Sequence, residues 1–165
     1  MAQPLIGYGM VAKGGSSAPV FFAGVDSRLR DMVEHAGVGL YSIDFQGRYQ
    51  FVNRWFAEML GYGSPDECLQ QQLRVVDIFQ DPAERESSRE RCIREQQITD
   101  YVFQAKRRDG SLLWVSENCS VIREPNGAIS GFVGSIADVT SFIEASEKLK
   151  AAELDFRRFV ERAHE

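Results

Sequence analysis

The strongest constraint on this chain is a series of three β-rich runs broken by two reversal signals. Residues 98–107, 112–123 and 129–139 are rich in branched and aromatic side chains, with Asp109 and Gly110 at the first break and Pro125, Asn126 and Gly127 at the second. Asp-Gly and Asn-Gly steps accept the positive φ of tight turns, so the pattern predicts three successive antiparallel strands. In the middle run Leu112, Trp114, Ser116, Asn118, Ser120 and Ile122 share one face, while Leu113, Val115, Glu117, Cys119, Val121 and Arg123 share the other. Both faces are partly apolar, so both require cover.

Upstream, residues 40–44 and 48–53 read as a hairpin around Gln46 and Gly47. Trp55, Phe56, Met59 and Leu60 then repeat at helical spacing, with Asn53 as a cap and Gly61 as a stop. Ser64 to Gln70 predicts a short helical turn, and Val75, Val76, Ile78 and Phe79 an apolar knot. Asp81 and Pro82 suit the start of a helix running to about Gln96. Its i,i+4 pairs, Asp81 with Arg85 and Glu90 with Arg94, and its few apolar residues, Ala83, Cys92 and Ile93, predict a surface helix. Leu29, Met32, Val33 and Ala36 form one stripe of a short helix from about Ser27 that needs a surface to cover. Residues 1–26, rich in Gly, Ser and Pro, read as a flexible leader or linker, with one apolar knot at Val20, Phe21 and Phe22.

At 165 residues the chain suits one domain with its own core. The net charge of −5 disfavours nucleic-acid binding, which rests on Lys and Arg contacts to phosphate. The one dense basic run, Lys106, Arg107 and Arg108, precedes a turn and reads as a solvated loop. Cys68, Cys92 and Cys119 are odd in number and widely spaced, which supports neither a disulfide framework nor a zinc site. No apolar run approaches the roughly 18 residues of a membrane span, so no membrane contact and a cytoplasmic location are expected.

From Ser141 onward neither Pro nor Gly interrupts the chain. Phe142, Ala145, Leu149, Ala152, Phe156, Phe159 and Ala163 alternate spacings of three and four, an unbroken heptad seam. At about 1.5 Å per residue this helix outruns a small domain, so it predicts a coiled-coil-type pairing and a homodimer.

The ordered set of elements resembles the PAS sensory domain family. Val52–Tyr62, with its Asn53, Arg54, Trp55, Phe56 core, is similar to the family's second strand and following helix; Arg108–Val115 resembles its fourth-strand entry; Gly131–Thr140 resembles its last strand, ending in Asp138, Val139, Thr140. The resemblance spans about residues 28–140. It implies an α+β fold with a five-stranded antiparallel sheet in the order 2-1-5-4-3 and short helices on one face, an amphipathic helix before it and the long helix after it. The organisation expected is therefore leader 1–26, PAS-like domain 27–140 and signalling helix 141–165. Residues 29–36 match residues 156–163 at four of eight positions, which suggests that a second such domain begins at the end of the helix.

The resemblance also directs the search for chemistry. Haem-holding members use a histidine on the long helix before the third strand; here that helix has none, and Cys92 is the one alternative ligand on it. Flavin photosensors need an Asn-Cys-Arg motif that is missing from Val75–Asp81. Neither haem nor flavin is supported, and any ligand is unknown. Candidate pocket residues are Phe51, Phe56, Met59, Ile78, Cys92, Phe103, Phe132 and Ser135. Asp138 and Thr140 are placed to relay strand position to the final helix, and Leu29, Met32 and Val33 to join Phe142, Ala145, Leu149, Ala152, Phe156 and Phe159 in a dimer seam. No catalytic constellation is present in the sequence. The expected role is a non-catalytic sensory and dimerisation module of a larger signalling protein with a downstream output domain. The alternatives are a cofactor-holding small-molecule receptor, or the front of a histidine kinase with His164 as phosphoacceptor.

Overall fold

A computed structural model describes residues 27–163; the leader and its apolar knot, and His164, lie outside the described residues. The element order is α1 (Ser27–Glu34), β1 (Gly39–Asp44), β2 (Tyr49–Val52), α2 (Arg54–Met59), α3 (Pro65–Gln70), α4 (Val75–Ile78), α5 (Pro82–Glu95), β3 (Gln97–Lys106), β4 (Leu112–Arg123), β5 (Ile129–Asp138) and α6 (Thr140–Ala163). The strands form one antiparallel sheet in the order β2-β1-β5-β4-β3, as expected. Gly110 and Gly127 take positive φ at the two β-hairpin turns, the conformation their reversal signals foretold.

Asn53 organises the entry to the helical layer. Its side-chain oxygen accepts from the Phe56 N–H at 3.0 Å, capping α2, and from the Leu40 N–H at 2.8 Å. Its amide nitrogen donates to the carbonyls of Val33 at 2.8 Å and Val38 at 3.0 Å. One buried side chain thus fastens the end of α1 to β1 and α2, with its polar atoms partnered.

The core lies between the inner sheet face and the helices α2 to α5. Phe56, Leu60, Ile98, Phe103, Leu113 and Val115 are among its fully buried side chains. Phe79 stacks on Phe103 with ring centroids 3.8 Å apart. The apolar knot before Asp81 contains a helix that its sequence did not announce, α4, whose start is closed by the Asp77 carboxylate accepting from the Arg74 N–H at 2.9 Å. Four residues are too few to display a helical period.

Two electrostatic expectations change. On α5 the ion pairs are Arg89–Glu86 at 3.4 Å, and Arg91–Glu95 and Arg94–Glu95 at 3.1 Å, in place of Asp81–Arg85 and Glu90–Arg94. Asp81 is occupied in capping Ala83 N–H, and Arg85 leans over the Phe79 ring. The basic run is not simply solvated: Arg108 pairs with Glu67 at 2.6 Å, and Arg107 donates to the Met59 carbonyl at 3.1 Å. No described helix is long and apolar enough to cross a membrane.

Candidate functional site: core cavity and helix junction

Strand alternation on β4 sends Leu113, Val115, Glu117 and Cys119 inward, so a carboxylate enters an otherwise apolar layer. Glu117 is 6% exposed. Its Oε1 accepts from the Tyr41 hydroxyl at 2.5 Å and its Oε2 from the Ser88 hydroxyl at 3.4 Å. Tyr41 reaches across β5 to do so, over Gly134, the residue that pairs with Tyr41 on one side and Cys119 on the other. A Cβ at Gly134 would stand 2.7 Å from the Tyr41 hydroxyl oxygen, so glycine is what lets the ring lie across the strand.

Glu117, Tyr41 and Ser88 line a cavity of about 10 Å³ together with Arg85, Arg89, Cys92, Cys119 and Phe132. That is room for about one water molecule. Burial pushes the Glu117 carboxyl above its ordinary range, outweighing the Tyr41 hydrogen bond and the nearby Arg85 charge. Burial likewise raises the Tyr41 hydroxyl, with the adjacent Glu117 adding to the effect. The inner polar cluster is therefore a proton-holding one. Arg85 faces the same cavity with its buried Nε lacking a hydrogen-bond partner.

At the far end of the sheet β5 hands over to α6. Asp138 Oδ1 accepts from the Thr140 N–H at 2.9 Å, closing the start of α6. The Thr140 hydroxyl accepts from the Trp114 N–H at 2.9 Å, and the Val139 N–H donates to the Trp114 carbonyl at 2.9 Å. Arg107, which holds α2 through Met59, also sits 3.5 Å from the Asp138 carboxylate. The junction is thus tied to β4 and, through Arg107, to the helical layer. Beyond it no residue of α6 is buried, and Phe142, Leu149, Phe156 and Phe159 are each 62–69% exposed.

A sequence profile of the PAS fold matches residues 27–139. The chain belongs to the PAS family.

Among curated proteins, the Bacterioopsin transcriptional activator of Halobacterium salinarum is 29% identical over 114 residues, 69% of this chain. The chain spans only 17% of that relative's length. Among solved structures, a PAS domain of a protein from Colwellia psychrerythraea is similar with a TM-score of 0.60 at 18% identity, covering 69% of this chain and 96% of that one. A sensory box histidine kinase/response regulator from Burkholderia thailandensis gives 0.60 at 20% identity, covering 79% and 98%. These structural likenesses show the fold.

Within this PAS domain the expected pocket residues divide. Cys92 and Phe132 line the cavity. Phe56, Ile78 and Phe103 are buried in the core around it, and Met59 packs at the core's edge. Phe51 and Ser135 lie on the opposite sheet face, because Phe51 pairs with Ser42, and Ser135 with Leu40 and Asn118, all outward positions. Apolar character alone cannot distinguish the two faces of a strand covered on both sides. Leu29 and Met32 are exposed, whereas Val33 lines an outer-face groove of about 190 Å³ with Leu40, Phe51 and Val133. Tyr41, Ser88, Arg85 and Glu117 were not anticipated at the site. For Glu117 the signal existed: it is the one acid in the inward series of β4.

Proposed function

We propose that this PAS domain is a sensory and dimerisation module of a larger signalling protein, in which changes at the core cavity or the outer sheet face are relayed to α6. The observation that carries the reading is the junction: an exposed heptad seam begins at Phe142, just after Thr140, whose hydroxyl is bonded to β4. A helix that has no fully buried residue and exposes an apolar stripe is suited to a partner helix, and a second copy supplies a matching stripe. Val102, Leu112 and Val133, each about 40% exposed on the outer sheet face, extend that interface. The relatives named for transcriptional activation and sensory kinase roles support a signalling context, with the output domain outside this chain. The PAS fold is a sensory, non-catalytic one. A cavity with room for about one water favours signalling by packing and protonation over retention of a bulky cofactor.

Sedimentation equilibrium tests the assembly. The wild-type chain is expected to dimerise, and Leu149→Asp or Phe156→Asp to weaken the dimer by at least about tenfold, since each places a charge in the apolar seam. A wild-type chain that stays monomeric at high concentration would overturn the reading.

A further inference from the structure

The cavity is bordered by two thiols that the signalling reading does not use. Cys92 enters from α5 and Cys119 from β4, and their sulfurs stand 3.7 Å apart. The Cys92 thiol also lies 3.7 Å from the Cys119 carbonyl. Neither is in a disulfide, and both are buried, as is Cys68 on α3, which lies away from the cavity. Sulfur atoms in simple contact need approach by only about 1.6 Å to reach the roughly 2.05 Å of a disulfide bond. The water-sized space that both residues line, flanked by the half-exposed Arg85 and Arg89, gives a small oxidant a place beside them.

We propose that Cys92 and Cys119 form a redox modification site, at which a hydroperoxide converts the pair to a disulfide that clamps α5 onto β4. Cys92, as the thiolate, attacks one peroxide oxygen; the O–O bond breaks, and the departing oxygen leaves as water after taking up a proton, with Cys92 left as the sulfenic acid. The Cys119 sulfur then attacks the Cys92 sulfur, the S–O bond breaks, and a second water leaves. Two thiols and one hydrogen peroxide become one disulfide and two waters.

The surroundings assign the order. The contact between the two thiols favours a thiolate at Cys92 and opposes one at Cys119; Glu117 opposes one at both, and Arg85 offsets it at Cys92. Burial raises both thiols, so the reaction is slow at neutral pH and registers sustained rather than momentary exposure. The cross-link lies within one chain and does not depend on helix pairing. Its structural effect is local: α5 carries Ser88, the Glu117 partner, and β4 carries Trp114, the Thr140 partner.

The test is thiol mapping of the pre-reduced whole chain after exposure to hydrogen peroxide. Remaining thiols are alkylated under denaturing conditions, and peptides are analysed by mass spectrometry without reductant. The expected result is loss of most alkylatable thiol at both Cys92 and Cys119, a joined peptide pair lacking two hydrogens, retained alkylation at Cys68, and reversal by dithiothreitol. Amide exchange along α5 is expected to slow on oxidation. Cys68→Ser is expected to leave the cross-link intact, while Cys119→Ser leaves a sulfenic acid at Cys92 that dimedone captures. Full alkylation of both thiols after peroxide, a bridge to Cys68, or unchanged exchange along α5 overturns the proposal. Because the wild-type map is decisive alone, a variant that fails to fold does not shelter it.

Discussion

Glu117 shows how much one position depends on its neighbours. Its proton is held more tightly in the folded chain than in the unfolded one, because burial disfavours the charged form. The stability this contributes is complete below the ordinary carboxylate value of about 4.3 and is lost as pH rises through the raised folded value. Wild type should therefore lose stability relative to Glu117→Gln across that window, by up to about 1.4 kcal/mol per pH unit. Urea unfolding of both proteins as a function of pH measures the difference; parallel curves would show that Glu117 is not held neutral. Gly134 is the complementary case. A methyl group there meets the Asn118 carbonyl and the Tyr41 hydroxyl, so Gly134→Ala should cost about 1–3 kcal/mol and detach Tyr41 from Glu117. Thermal unfolding gives the first quantity, and the Tyr41 environment by near-ultraviolet circular dichroism reports the second.

At the scale of elements, the junction between β5 and α6 is a set of three short bonds converging on Trp114 and Thr140. The sequence pointed to Asp138 and Thr140 as the hand-over from the last strand to the final helix. The structure divides the work: Asp138 caps the helix, and Thr140 latches it to β4. Thr140→Val keeps the shape of the side chain and removes the acceptor for the Trp114 N–H, at an expected cost of about 1–2 kcal/mol. Amide exchange at Trp114 should accelerate in this variant and stay slow in Thr140→Ser, which retains the hydroxyl. Equal exchange in all three proteins would mean that the latch does not hold the helix.

At the scale of the whole molecule, two apolar surfaces remain outside the core: the outer sheet face and the α6 seam. Since α6 contributes no buried residue, a chain ending at Ser141 should keep a cooperative unfolding transition close to that of the parent when both are monomeric. Differential scanning calorimetry at low concentration makes the comparison, and a collapse of the transition would show that α6 supports the fold rather than an assembly.

The strands, their hairpin order, the Asn53 and Asp81 caps and the heptad seam were legible in the chain because each depends on residues close in sequence: turn steps, period-two alternation, side chains a few positions from the amide they cap. The resemblance of residues 52–62, 108–115 and 131–140 then supplied the sheet order. The candidate site was only partly legible. Of the candidates carried by position and apolar character, Phe56, Ile78, Cys92, Phe103 and Phe132 are buried in the core, while Phe51 and Ser135 stand on the outer sheet face. Tyr41 and Glu117 lie 76 residues apart and meet only because β1 and β4 flank β5 and Gly134 leaves space for the ring. Local periodicity decides which segments become helices and strands. Which side chains face one another across the five-stranded sheet is decided by strand order and the absence of a single Cβ, and those exist only in the folded molecule.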